Sequence, residues 1–509
     1  MPSSELVPTG VVGLDAILSG GIPRGNIILT EGSVGTGKTT LGVEFIYRGA
    51  SQFGEPGIIV VFEVSPDKLI RDAAAFGWDL AALERERKIR IVFTTRQVFR
   101  QELQQADSLL LEEAAGLGAR RIFIDGGGAL SNGQSGNGNG QDAREAFHVM
   151  VEGLQRENLT AMLALEAAAL GTGLTSGMPE ESIADTVIRL RMEETQRASV
   201  RSLEVVKSRG QDFQTGRHSL RIVDGRGVEV YRRVQAPRAG SRDKAAAFDP
   251  STRVTTGVPG LDPIVNGGYF LGSTTVVAGI SGVGKSVMAL HYLAEGARLG
   301  EKSLMLTLDE QVPQVLRNAA SIGKNMQPAI DAGLTRLHYD TPQEIDIDHH
   351  FYEVERLMAD FKPKRVVIDS LSTYGSTLGV GRMFRDFFHA LVALMKEHQV
   401  AAVYNNENPE MLGMSSMMGD FAMSSLVDNI ILMNWVELGD LFRLGLTVAK
   451  MRANPCTRTT YECEILPGAG MRVLERQLPI ARLEAPFSAY RSLISRAPAR
   501  QPAAAPEKA

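Results

Sequence analysis

Two textures alternate along the chain: short, nearly continuous apolar runs, and longer stretches where apolar residues return every three or four positions. The short runs are Asn26–Thr30, Ile58–Phe62, Ile89–Thr94, Arg121–Asp125 and Ala161–Leu165. They return as Thr274–Ala278, Ser303–Leu308, Thr335–His338, Arg365–Asp369 and Val400–Tyr404. Strands covered on both faces read this way, whereas a strand with one wet face alternates. Such strands, separated by helical patterns, predict an α/β fold in each half: a mostly parallel sheet flanked by helices.

The two halves are copies of one unit. Thr9-Gly10-Val11-Val12-Gly13-Leu14-Asp15 returns 247 positions later as Thr256-Gly257-Val258-Pro259-Gly260-Leu261-Asp262. Glycine-rich loops beginning at Gly32 and Gly279 keep the same offset, and Asp125/Asp369 and Lys207/Lys450 nearly keep it. A period of roughly 245 residues is far longer than a solenoid unit, so it predicts two homologous domains. Their expected limits are 1–234 and 251–480, joined by a linker over 235–250 that is rich in Ala, Arg and Pro. Residues 481–509 have the composition of a disordered tail. Inside the first copy, Gly126 to Gly140 reads as a flexible surface loop, or as a moving loop near a nucleotide.

Composition narrows the class. Of 509 residues, 44% are hydrophobic and 22% charged, the balance of a globular protein, and the net charge of −5 lacks the footprint of a general nucleic-acid binder. No apolar run is long enough to span a membrane, and the first residues carry neither the basic start nor the apolar stretch of a signal peptide. With only Cys456 and Cys463, and no Cys/His cluster, neither a disulfide scaffold nor a zinc site is supported. The expectation is a reduced, cytoplasmic protein with no membrane and no nucleic-acid partner.

Gly32-Ser33-Val34-Gly35-Thr36-Gly37-Lys38-Thr39 fits GxxxxGK[ST] between a strand and a helical pattern, and Gly279-Ile280-Ser281-Gly282-Val283-Gly284-Lys285-Ser286 does the same. Glycines let backbone N–H groups wrap phosphate oxygens at the positive end of the next helix. Lys38 and Lys285 suit the β- and γ-phosphates, and the hydroxyls of Thr39 and Ser286 suit Mg2+. The candidate ATP contacts are Ser33, Gly35, Thr36, Gly37, Lys38, Thr39 and Thr40, then Gly282, Val283, Gly284, Lys285, Ser286 and Val287.

The partner motif is an apolar strand ending in Asp, and Asp125 and Asp369 both qualify as Mg2+ ligands. Hydrolysis also needs a carboxylate to orient the attacking water. Glu63 stands 25 residues beyond Lys38, and Asp309 and Glu310 stand 24 and 25 beyond Lys285. On neighbouring strands of such a sheet, these acids would sit near the γ-phosphate, where Asp309 is also a candidate metal ligand. The bland alternative for each is a solvated acid at a strand end.

These residues resemble the KaiC family of tandem RecA-like ATPases over about residues 6 to 470. The resemblance rests on both TGxxGLD openings, both phosphate loops, the segments VVFEVSPDKLIRDAAAFGWDL and LMLTLDEQVPQVLRNAASIG, and the late Lys207-Ser208-Arg209-Gly210 and Lys450-Met451-Arg452. It implies two tandem RecA-like P-loop NTPase domains in a double-ring homohexamer, with ATP and Mg2+ between neighbouring subunits. Lys207, Ser208 and Arg209 would reach the ATP of the adjacent first ring, and Lys450, Met451 and Arg452 that of the second. The first domain would hydrolyse ATP slowly and the second would autophosphorylate, with Ser424-Ser425 as the matching acceptors. A clock or signalling ATPase with a KaiB-like or signalling protein partner is the implied role. The chain departs from the family pattern at Val64, where a second acid is usual, at the shorter Asp309, at Ser-Ser in place of Ser-Thr, and at Phe213 in place of His. The stretch from Phe93 to Ala106 is also shorter than in clock members.

Two other classes compete. A RecA/RadA-like DNA recombination or helicase ATPase would need cations in its inner loops, yet no Lys or Arg occurs between Arg156 and Arg189 or between Lys396 and Arg443. A nucleotide-dependent scaffold without kinase activity stays open, since the first copy has a single candidate acid. The methionines Met411, Met414, Met417, Met418 and Met423 read as packing residues or as an adaptable partner surface.

Overall fold

The computed structural model describes residues 5–104, 108–126, 140–166, 179–195, 198–235, 251–341, 346–378, 381–407 and 423–478. The glycine-rich stretch 127–139, the linker from 236 to 250, Met411 to Met418 and the tail lie outside the described residues. The chain forms two compact units, Met1–Arg233 and Val234–Ala509.

All ten apolar runs form strands. Edge to edge, the first sheet runs Gly227–Tyr231, Arg217–Val223, Ala198–Ser208, Thr186–Thr195, Ile27–Gly32, Thr160–Glu166, Arg121–Asp125, Gly57–Val61 and Ile89–Phe93. The second repeats this order as Gly470–Leu478, Thr460–Leu466, Leu441–Met451, Asn429–Leu438, Thr274–Gly279, Ala401–Glu407, Arg365–Asp369, Ser303–Thr307 and Thr335–Tyr339. In each sheet six strands are parallel, and the three at the first-named edge are antiparallel. The last four strands of each unit fall outside the ten runs. Several carry polar or partly exposed residues between buried ones, as in Asn429–Leu438, so a search for continuous apolar stretches passes over them. Gly227–Tyr231, buried throughout, escapes it because Glu229 interrupts its short apolar run.

Helices cover both faces of the parallel part. In the first unit Leu41, Phe45 and Ile46 of the helix Lys38–Gln52 join one buried cluster with Ile59, Phe123 and Met162. On the opposite face Phe147, Met150 and Leu154 of the helix Gly140–Arg156 pack with Ile122, Ile124 and Leu163. The repeated TGxxGLD turn is a structural device. Gly13 and Gly260 adopt φ of 81° and 84°, and a Cβ there would lie 1.8 and 2.1 Å from the carbonyl oxygens of Val230 and Val473. The Asp of the motif accepts the Thr backbone N–H at 2.7 Å in both copies.

Each Asp-bearing strand begins with a fully buried arginine. Arg121 donates to Glu55 at 2.6 Å and to the Phe45 carbonyl at 3.1 Å. Arg365 donates to Glu301 at 2.7 Å and to the Thr255 and Tyr292 carbonyls at 2.6 and 3.3 Å. Each glutamate also pairs with a second cation, Arg24 for Glu55 and Lys364 for Glu301. Loss of the arginine therefore leaves buried carbonyls without a donor and not an unpaired charge, a cost of about 1–3 kcal/mol. Arg365→Ala is expected to lower the second unit's unfolding free energy by about 1–3 kcal/mol, read from denaturant unfolding of the full chain by fluorescence, with the first unit's transition unchanged.

Candidate functional site

Both phosphate loops sit where a buried strand turns into a helix. Gly37 and Gly284 precede those helices with φ of 102° and 92°, and neither helix start has a side-chain cap. The first N–H groups of each helix are thus left for an incoming acceptor, as an anion site requires. Lys38 Nζ donates to the carbonyls of Gly32 and Ser33, both at 2.8 Å, and Lys285 Nζ donates to those of Gly279 and Ile280 at 2.9 and 2.8 Å. Burial pushes both lysines below the ordinary range. Half-buried ammonium groups held only by loop carbonyls suit an anion that would supply the missing charge.

The hydroxyl on the following residue meets the strand-terminal Asp in both units. Thr39 Oγ1 donates to Asp125 at 2.9 Å, and Ser286 Oγ to Asp369 at 2.8 Å. Burial pushes both carboxyls up. An acid taken out of water beside an oxygen donor fits a hard divalent cation such as Mg2+, which favours oxygen ligands and the ionised carboxylate.

The candidate general bases sit in different surroundings. Glu63 is 74% exposed and paired with Arg96, whose guanidinium also lies 5.9 Å from the Phe62 ring centroid. Its strand is not the neighbour of the phosphate-loop strand, because Thr160–Glu166 and Arg121–Asp125 lie between them. Glu63 therefore approaches from the Asp125 side. In the second unit Asp309 accepts from Ser370 at 2.9 Å and from Thr373 at 2.5 Å, while Glu310 accepts from Asn318 at 2.9 Å.

The late cations are not brought to their own phosphate loop. Ser208 and Lys207 lie level with Ile28 and Leu29 of the phosphate-loop strand, through Thr186 and Val187. That is three to four residues before the loop, on the order of 10–13 Å at a strand's rise per residue. Lys207 donates to the carbonyls of Glu181, Ser182 and Ala184, and Arg209 to that of Ser182. In the second unit Met451 and Lys450 lie level with Thr275 and Val276 in the same way. Arg452 pairs with Asp428 and donates to the Ser425 carbonyl at 2.8 Å. The helix Met423–Leu426, carrying Ser424 and the exposed Ser425, sits at that same lower edge of the sheet. The Ser424 side chain lies outside the described residues.

Three residues escaped the sequence reading. Glu166 and Glu407 end the strands beside the phosphate-loop strands, opposite Gly32 and Gly279, and their charge favours protonated Lys38 and Lys285. An acid closing the same apolar strand in both copies was the available signal. Arg201 donates to the Gly35 carbonyl at 3.1 Å across the first loop; nothing in its local sequence marked it.

A loop of this geometry at the carboxyl edge of a parallel sheet, with a hydroxyl-to-Asp bridge one strand beyond its neighbour, defines a tandem RecA-like P-loop ATPase. The family model described as "ATPase: KaiC" matches residues 7–235 and 254–478. The chain belongs to the KaiC ATPase family. It is 30% identical to a circadian clock oscillator protein KaiC of Thermostichus vulcanus, over 88% of this chain and 85% of that one. It is 29% identical to the KaiC of Synechococcus elongatus over the same shares, and 30% identical to the circadian clock protein KaiC2 of a Synechocystis strain over 85% and 74%. Among the described residues no helix is long and apolar enough to cross a membrane.

Titration of the full chain with a fluorescent ATP analogue is expected to saturate at two nucleotides per chain. Lys38→Ala or Lys285→Ala should each bring this to one, and the double substitution to none.

Proposed function

We propose that the protein is a nucleotide-dependent homohexameric ATPase, with Mg·ATP bound between neighbouring subunits at both levels. The second unit is also a slow serine autokinase in this reading. The observation that carries it is the placement of Lys207/Arg209 and Lys450/Arg452 at the edge of each sheet away from that unit's own phosphate loop. Cations so placed act on phosphate only if a second copy presents its loop to them, and a cation supplied this way stabilises charge on a transferring phosphoryl group.

In the first unit Lys38 and the loop N–H groups hold the phosphates, and Glu63 orients water once Arg96 releases it. In the second unit Lys285 holds the phosphates and Asp309 accepts the proton of the attacking hydroxyl, with Glu310 beside it. Thr39 with Asp125, and Ser286 with Asp369, would hold Mg2+, which when bound neutralises charge shared between the β- and γ-phosphates. Ser425, at the lower edge, is out of reach of its own Lys285, so transfer runs between subunits. The Ser Oγ–Pγ bond forms, the bond from Pγ to the ADP oxygen breaks, and the proton passes to Asp309 of the neighbouring subunit. The names of the relatives, circadian clock proteins, support a timing role; a KaiB-like or signalling protein as partner is what the family resemblance implies.

Light scattering with and without ATP tests assembly: a hexamer's mass is expected only with nucleotide, and Lys38→Ala should weaken it more than Lys285→Ala. A mass indifferent to nucleotide contradicts the reading. Glu63→Gln should slow phosphate release in a Lys285→Ala chain by about 10²-fold or more, as loss of a general base does. Mass spectrometry after ATP incubation should place phosphate on Ser424 or Ser425, and none there in Asp309→Asn with Glu310→Gln.

A further inference from the structure

The second site contains a cluster of hydroxyls that has no counterpart in the first among the described residues. Directly after Asp369 the chain reads Ser370-Leu371-Ser372-Thr373, whereas after Asp125 it reads Gly126-Gly127-Gly128-Ala129, without a hydroxyl. Ser370 donates to one carboxylate oxygen of Asp309 at 2.9 Å and Thr373 to the other at 2.5 Å. Ser372 Oγ lies 2.9 Å from Ser370 and accepts the backbone N–H of Glu407 at 3.1 Å. Each hydroxyl has one hydrogen, and Ser370 and Thr373 both spend theirs on Asp309. The carboxylate is thereby fixed in both position and plane, with one lone pair on each oxygen still open.

The element that carries Thr373 is itself braced. The next residue, Tyr374, is fully buried on the helix Leu371–Leu378, and its hydroxyl shares a hydrogen bond of 2.6 Å with His350 Nε2. His350 is 1% exposed, and its Nδ1 donates to Asp340 at 2.6 Å. This chain ties the helix to the helix Ile347–Phe361 and to the end of the strand Thr335–Tyr339. A carboxylate held by hydroxyls on a helix locked in this way has little freedom to swing, which is what a short acid needs to meet a reacting oxygen reliably.

We propose that Thr373, with Ser370, is a positioning residue for Asp309: a clamp that sets the proton acceptor of the second site and is missing from the first. This rests on the reading of Asp309 as that acceptor. The pair would explain how an aspartate serves where one more methylene is usual. Both hydroxyls act as donors throughout and are not themselves phosphorylated.

The test uses the full chain in a Glu63→Gln background. Thr373→Val keeps the shape and removes the donor. It is expected to lower kcat by on the order of 10- to 100-fold, the loss typical of a slightly misplaced group. KM, the Kd for β,γ-imido-ATP and the unfolding midpoint should stay unchanged, and Thr373→Ser should restore turnover. Unchanged kcat in Thr373→Val beside an inactive Asp309→Asn overturns the clamp and leaves the acceptor standing. Full turnover in Asp309→Asn overturns the acceptor itself, and the clamp with it. A lowered kcat that Thr373→Ser does not restore, or phosphate mapped onto Thr373 of the wild type, also overturns the proposal, the first by making the effect one of packing and the second by making the hydroxyl a nucleophile.

Discussion

The hydrogen bond from the first hydroxyl of the phosphate-loop helix to the strand-terminal Asp joins two elements that are not adjacent in the sheet. Thr39 reaches Asp125, and Ser286 reaches Asp369, across an intervening strand, at 2.9 and 2.8 Å. It requires the loop, the helix and the carboxyl ends of three strands to be in register. The buried arginines at the other end of the Asp-bearing strands serve that register. Arg121 and Arg365 tie the strand start to the helix that carries the phosphate-loop lysine, through the carbonyls of Phe45 and Tyr292. With both ends of the strand fixed, the carboxylate has one place to be, and burial there keeps its charge in want of a cation.

The two units share this frame and differ in what surrounds the acid that would accept a proton. Glu63 is exposed and held by the guanidinium of Arg96, which opens the helix after the strand Ile89–Phe93, so its charge is already partnered. Asp309 is held by neutral donors from the segment after Asp369, so its charge is oriented without being neutralised. A pairing with Arg96 must be broken before Glu63 can work on water, whereas the hydroxyls of Ser370 and Thr373 can stay in place while Asp309 works. The same fold thus holds the two acids differently, one by an ion pair and one by neutral hydroxyls.

Much of this was legible in the residues alone. Continuous apolar runs identified ten strands, and eight of them are buried, because a strand covered on both faces has no polar alternation to hide it. The edge strands Ile89–Phe93 and Thr335–Tyr339 are partly exposed. The phosphate loops and strand-terminal acids were legible because phosphate and metal chemistry demand particular residues at fixed spacing. The repeat made each of these readings twice. The outer antiparallel strands were not legible, since polar residues break up their apolar positions and such mixed segments resemble exposed ones until the partners are known.

Tertiary structure alone decided where the single residues went. Sequence placed Lys207 and Lys450 late in each copy, but only the strand register set them at the edge away from their own loop, because an antiparallel strand returns toward the start of its neighbour. Sequence named Glu63 and Asp309 as equivalents, but only packing gave one to Arg96 and the other to Ser370 and Thr373. Glu166 and Glu407 became site residues only when parallel pairing put them opposite Gly32 and Gly279. The sequence by itself determines the repeated α/β units and the chemistry of the phosphate loops, since both follow from local pattern. Which acid is ion-paired, which is clamped by hydroxyls and which cation faces away are non-local, and they depend on contacts between segments tens to hundreds of residues apart.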